Sequence, residues 1–316
     1  MSSRPTPSAL VKLTLAALFW GGAFVAGKIA LRDVAPVAAA FWRFALGTAV
    51  LGWFWARRTG PADLPRTWRG WTGLAALGVS GVFAYNWFFF QGLASTEAGA
   101  AALVITTNPA LTAVCAGLFL GERLSPVRVL GFALAVVGAL VVLSGGDPHR
   151  LLSLRLGPGA AFLGAAVLCW VAYVLWGKVV LRGVSPLTAT AAAFAFGTPL
   201  LGVGAQAEGG LVAALGASWQ AWAALLFMGV FSSALGFLWF YEGVAALGAA
   251  RASVFIYLVP GFALVFAWLL LGEAVSGPKL LGGALVVMGV ALTSRASASF
   301  GPGRPGSVPL FRTPGR

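Results

Sequence analysis

The chain has 316 residues, of which 59% are hydrophobic and only 9% charged, with 13 Trp and 23 Phe. A soluble domain carries about 25% charged residues, so a water-soluble globule is excluded and the bilayer is the solvent. The net charge of +13 does not indicate nucleic acid: the 21 Lys and Arg sit mostly at the ends of apolar runs and in the tail, as juxtamembrane residues do, and form no interleaved basic face.

A spanning helix needs about 20 mostly apolar residues, and ten such spans are predicted: 10–30, 36–56, 70–91, 97–120, 126–144, 158–181, 187–205, 219–241, 248–271 and 278–296. The first carries Trp20 and closes near Lys28. Its apolar stretch continues into a repeat, so it reads as a retained helix and not a cleaved signal peptide. The second opens at Pro36 and holds Arg43, the only strong charge well inside a span. At the bilayer centre such a charge costs about 2.5–3.5 kcal/mol on insertion scales. The third carries Phe83, Tyr85, Asn86 and Trp87. Asn86 lies in a long uncharged run, so it is expected to face the bundle interior or a cavity. In the fourth, Thr106, Thr107 and Asn108 precede Pro109, which deletes the helix hydrogen bond to Ile105. The fifth and tenth carry Gly131, Ala135, Gly138, Gly282 and Gly289, which close helix packing explains. Trp170, Tyr173 and Trp176 lie on the sixth span, and Phe237, Trp239 and Tyr241 on the eighth. The ninth holds Tyr257 beside Pro260. Residues 297–316, rich in Gly, Pro and Ser with Arg304, Arg312 and Arg316, read as a disordered basic tail.

The chain also repeats itself. Trp20, Gly27-Lys28, Leu31-Arg32, Pro36, Phe44 and Gly47-Thr48 return 150 positions later as Trp170, Gly177-Lys178, Leu181-Arg182, Pro186, Phe194 and Gly197-Thr198. After a one-residue slip the copy continues through Gly78/Gly229, Pro109/Pro260, Gly121-Glu122/Gly272-Glu273 and Gly131/Gly282. Five spans per half is an odd number, so the second half must enter the membrane the opposite way. Charge supports this. With a cytoplasmic N-terminus, 15 Lys and Arg fall inside and 5 outside, and segment 57–69, with four arginines, has a counterpart, 206–218, with no basic residue. The expected fold is an all-α polytopic membrane protein of ten transmembrane helices, arranged as two inverted five-helix repeats at 10–144 and 158–296. In an apolar chain, such duplication implies a transporter built around a central site.

The stretch 98–142, with Thr106-Thr107-Asn108-Pro109, Gly121-Glu122-Arg123-Leu124-Ser125-Pro126 and Gly131, resembles the EamA module of the drug/metabolite transporter superfamily. So does 249–292, with Tyr257-Leu258-Val259-Pro260 and Gly272-Glu273, and the resemblance covers roughly 10–296. It implies ten helices, both termini cytoplasmic, a location in the inner (plasma) membrane and export of small metabolites. The ten-helix amino-acid exporters, aromatic ones included, are the branch it most suggests.

Candidate substrate-binding residues are Trp20, Arg43, Phe83, Asn86, Thr106, Asn108, Trp170, Tyr173, Phe237, Trp239 and Tyr257, with Pro109 and Pro260 as kinks or gates. Most single Trp and Tyr in such proteins are interfacial anchors or packing, and Trp20/Trp170 stand out by duplication. Arg43 either meets a substrate carboxylate or is structural, snorkelling or bonding a backbone carbonyl; its counterpart is Ala193. Lys28 and Lys178 read as snorkelling anchors. Asp and Glu lie near span ends, so facilitator-like movement is expected, or coupling through Glu97 or Glu242. Cys115 and Cys169 lie in apolar runs and give no disulfide framework, and His149 is in a loop. No metal and no cofactor are expected. The partners are a small-molecule substrate and the lipid bilayer, and the unit is a monomer with a dimer as the alternative. Exporters of another metabolite, drug or nucleotide-sugar class are the nearest rivals. A membrane-embedded enzyme would need a nucleophile with its base, paired carboxylates or metal ligands, and none has suitable spacing.

Overall fold

The computed structural model describes residues 7–120, 126–149, 157–180, 183–247 and 254–298, and among them all regular structure is helical. The first five helices are α1 (Pro7–Ala30), α2 (Pro36–Arg58), α3 (Trp68–Ala94), α4 in two pieces (Ala98–Ile105 and Asn108–Leu120) and α5 (Pro126–Ser144). The second five are α6 (Pro158–Val180), α7 (Pro186–Ala207), α8 (219–247), α9 (a 3₁₀ turn, Val254–Leu258, running into Val259–Leu271) and α10 (Gly277–Ala298). Six of these are long and apolar enough to cross a membrane by length and composition, and the apolar stretches Val129–Ser144, Val259–Leu271 and Gly277–Leu292 are shorter. It is a multi-pass membrane protein.

Pro opens α2, α5, α6 and α7, where the missing N–H costs no helix bond. The fourth predicted span is not one helix. Pro109 cannot donate to Ile105, and the chain breaks into two pieces at Thr106-Thr107. Pro260 marks the matching place in α9, where the 3₁₀ turn becomes α-helix.

Two contacts reveal the symmetry. Thr48 and Thr198, counterparts in the repeat, meet hydroxyl to hydroxyl at 3.0 Å. Phe44 and Phe194, also counterparts, have ring centroids 4.7 Å apart. Only residues on a two-fold axis can touch their own copies. Along the same interface Trp55 bonds Thr188 and Phe41 packs against Gly202, so α2 and its copy α7 run antiparallel. The pseudo-two-fold axis therefore lies across the helices, and the second half is inverted.

Hydrocarbon offers no hydrophobic drive between helices, so close backbone approach does the work. A Cβ on Gly138 would lie 2.6 Å from the Gly282 carbonyl oxygen, and one on Gly282 equally close to that of Gly138. The contact seams α5 to α10. Near the centre, Gly78 lets α3 rest on the Ala193 carbonyl of α7, and its copy Gly229 lets α8 rest on the Arg43 carbonyl of α2. Each half thus packs its third helix on the other half's second.

Both third helices widen at this crossing. Gly78–Ala84 in α3 and Met228–Leu235 in α8 are π-helical. These segments are repeat counterparts, and each loosens the carbonyl ladder where the halves meet.

Candidate functional site

The π turns set up the chemistry at the centre. In α8 the turn presents Ser232 and Ser233, both fully buried. Arg43 of α2 donates from Nε to Ser233 Oγ at 3.0 Å and from Nη2 to Ser232 Oγ at 3.3 Å, and its guanidinium stands 5.2 Å from the Phe44 ring centroid. It is 7% exposed and bonds hydroxyls across the two halves, so it neither snorkels to a membrane face nor relies on a carbonyl. Among the described residues no carboxylate pairs with it. The Ser232 carbonyl, freed by the turn, accepts from Trp20 Nε1 at 2.9 Å.

In α3 the matching turn holds Gly81 and Val82, the repeat counterparts of these serines, with Tyr85 and Asn86 one turn on. Arg43, Phe44, Gly81, Val82, Tyr85, Asn86, Trp170, Tyr173, Phe194 and Phe237 enclose a cavity of about 20 Å³, room for about one water. Trp170 joins the rings, its centroid 5.1 Å from Tyr85, 5.4 Å from Tyr173 and 6.4 Å from Phe237.

Phe237 also lines a second cavity, of about 400 Å³, with Leu51, Arg58, Thr59, Asp63, Ser185, Thr190 and Glu242 among its other walls. This vestibule lies toward the membrane face where α1 begins, since Glu242 takes Lys12 at 2.6 Å and Arg58 at 3.4 Å. Phe237 is the partition between vestibule and inner cavity. At the vestibule rim Asp63 accepts from the Ser185 backbone N–H at 3.0 Å, and the Ser185 and Thr188 hydroxyls hold its carboxyl below the usual carboxylate range.

The opposite face is latched between halves. Glu273 caps the first piece of α4, accepting from the N–H groups of Ala98 at 2.6 Å and Gly99 at 3.1 Å. Lys279 pairs with Glu97 at 2.5 Å and lies 3.9 Å from Glu273. Lys28 donates to the Leu93 carbonyl at 3.0 Å, closing the end of α3. Asp33 binds the backbone N–H and the hydroxyl of Ser218, the N-cap of α8. Asp33–Ser218 and Asp63–Ser185 are thus a pair of clasps, one at each face, with the roles of the two halves exchanged.

Of the residues singled out from sequence, Arg43, Asn86, Trp170, Tyr173 and Phe237 line the inner cavity together. Trp20 stands one ring behind, its centroid 5.7 Å from that of Phe237. Phe83 packs on Trp87, and Trp239 packs on Phe19. Thr106, Asn108 and Pro109 gather at the break in α4 and line neither cavity. There the Thr106 and Thr107 hydroxyls bond back to the Ala102 and Val104 carbonyls, while Asn108 Oδ1 is buried without a partner. Pro260 is buried at the start of the α-helical part of α9. The side chains of Tyr257, Tyr241 and Lys178, and residues 121–125, lie outside the described residues. Sequence reasoning missed Ser232 and Ser233. A serine pair 151 positions from Gly81-Val82, in the copy of a segment that holds Asn86, was the available signal.

The EamA-like transporter family matches the chain twice, at residues 7–144 and 157–295. The chain belongs to this family. As an EamA-like transporter it moves a small molecule across a bilayer and is not an enzyme. It is 28% identical over 277 residues to the uncharacterized transporter YyaM of Bacillus subtilis (strain 168), covering 88% of this chain and 90% of that one. It is 31% identical over 291 residues to a probable terminal-alkyne amino-acid exporter of Streptantibioticus cattleyicolor, covering 90% and 92%. A solved crystal structure superposes with a TM-score of 0.63 at 23% identity, covering 93% of this chain and 99% of the other, which shows a shared fold.

Proposed function

We propose that this transporter exports amino acids, aromatic ones included, and related small metabolites by alternating access between its halves, 10–144 and 158–296. The observation that carries the reading is Arg43. A buried guanidinium without a carboxylate partner among the described residues is costly inside a bilayer, and it lines a ring-walled cavity between the halves. A substrate carboxylate answers that charge, and the rings suit an apolar or aromatic side chain. The similar protein of Streptantibioticus cattleyicolor, described as a probable terminal-alkyne amino-acid exporter, supports an amino-acid substrate.

Direction follows from charge. With 15 of the 21 Lys and Arg assigned to the face of the N-terminus, both termini are cytoplasmic and the membrane is the inner one. The 400 Å³ vestibule then opens to the cytoplasm, and substrate passes Phe237 to reach Arg43. Rocking of the halves releases the contacts of Glu273 and Lys279 on the far side. The described carboxylates sit near helix ends and in loops, so movement is driven by the substrate gradient without obligatory proton coupling. The basic tail, 297–316, adds attraction to the anionic inner leaflet, and the working unit is a monomer.

Counterflow in liposomes with a panel of labelled amino acids tests this. Saturable exchange with neutral or aromatic members is expected, and its absence for every member overturns the amino-acid reading. Uptake that collapses without a pH gradient, while the substrate gradient is kept, overturns the facilitator mode.

A further inference from the structure

The side-chain amide of Asn86 is 1% exposed, and its repeat counterpart is Phe237, so nothing in the symmetry requires it. Its Nδ2 donates to the Gly81 carbonyl at 3.2 Å and the Val82 carbonyl at 2.9 Å, both in the π turn of α3. A flipped amide would set oxygen against those two oxygens, acceptor against acceptor, so the backbone dictates the orientation. Oδ1 is consequently turned away from its own helix, where it is buried without a partner. Asn86 lines the same cavity as Arg43.

These two groups are complementary in kind. A guanidinium only donates, and an amide oxygen only accepts. A ligand bearing a carboxylate alone satisfies Arg43 and offers Oδ1 no donor. A ligand bearing a carboxylate and an N–H donor satisfies both.

We propose that Arg43 and Asn86 together read the head of an α-amino acid, the guanidinium taking the carboxylate and Asn86 Oδ1 accepting from the ammonium. Asn86 is then a specificity residue that rejects carboxylic acids lacking the amine. Tyr85, Trp170 and Phe237 receive the side chain, and Phe237 withdraws to admit it, since the cavity of about 20 Å³ is only water-sized before binding. The assignment deepens the exporter reading and rests on it.

The test is counterflow of labelled phenylalanine and leucine by the full chain in liposomes, competed by each unlabelled amino acid and by its deaminated analogue, 3-phenylpropionate or 4-methylpentanoate. Leaving a buried acceptor unpaired weakens binding by roughly tenfold or more, so the amino acid competes at least about tenfold better than its analogue. In Asn86→Leu that gap narrows to about threefold or less, through loss of the amino acid's advantage. Equal competition by amino acid and analogue in the unaltered protein overturns the assignment without any variant. A gap unchanged in Asn86→Leu does the same, because a purely structural asparagine would lower both competitors alike. If no member of the amino-acid panel supports counterflow, the exporter reading falls as well; counterflow without discrimination sinks only the head-group assignment.

Discussion

Replacing Arg43 with methionine separates a structural arginine from a substrate-binding one. Arg43→Met keeps an unbranched apolar stem of similar reach and removes the charge. On the folding side, it removes the charge-assisted bonds to Ser233 and Ser232, at 3.0 and 3.3 Å, each about 1.5–3 kcal/mol. It also removes the contact with the Phe44 ring at 5.2 Å, about 0.5–2 kcal/mol. Against these stands relief of about 2.5–3.5 kcal/mol for a charge no longer held inside the bilayer. The freed serine hydroxyls can bond back to carbonyls of their own helix. The losses, about 3.5–8 kcal/mol, exceed that relief by about 0–5 kcal/mol, and the rebonding serines recover part of the difference. On the transport side, loss of a desolvated charge partner costs about 2–5 kcal/mol, which is about 30-fold or more in kcat/KM. The assay pairs thermal unfolding in detergent with amino-acid counterflow. A variant that still unfolds cooperatively, at a midpoint no higher than the parent's, and loses exchange is expected. Exchange within about threefold of the parent, or a variant that cannot be purified folded, refutes the reasoning.

Further outcomes follow from other contacts. Gly282→Leu forces a side chain into the Gly138 carbonyl and Val142, each 2.6 Å from a new Cβ, so α5 and α10 must part; a loss of about 2 kcal/mol or more should appear as a lower unfolding midpoint, and an unchanged midpoint refutes the seam. Phe237→Ala joins the vestibule to the inner cavity, so the ratio of aromatic to aliphatic exchange should fall; a preserved ratio refutes the partition. The Asp63 carboxyl is held below its ordinary value of about 3.9 by Ser185 and Thr188. A depressed folded-state pKa contributes stability that is present above the unfolded value and lost as pH falls through the folded one. The clasp should therefore be insensitive to pH from about 5 to 8 and weaken only below about 4. Asp63→Asn should abolish that acid-side loss in thermal unfolding, and an identical acid limb in the variant refutes it.

The departures between copies were readable at Arg43/Ala193 and Asn86/Phe237, and all but Ala193 line the inner cavity. Phe237 faces both chambers because the symmetry puts the residue opposite Asn86 at the mouth of the vestibule. The polar cluster Thr106-Thr107-Asn108 lines neither cavity, and its hydroxyls have a local role. A proline break frees backbone groups, and those hydroxyls serve their own carbonyls, at 2.7 and 2.8 Å. The π turns were not legible at all, since Gly78–Ala84 and Met228–Leu235 share only the Gly-Val step at Gly78-Val79 and Gly229-Val230, and widening depends on how the helices cross.

By itself the sequence determined the solvent, the helices, the duplication and the inversion. Each follows from composition, from span length set by the bilayer, or from parity and charge, all properties of short stretches of chain. Only the tertiary structure decided which polar groups meet. Arg43 finds Ser233 across 190 residues, Glu273 finds the start of α4 across 175, and Asn86, its oxygen unpartnered, lines the same cavity as Arg43. Such pairings depend on the register and crossing of antiparallel helices brought together by glycine, and no local pattern encodes them.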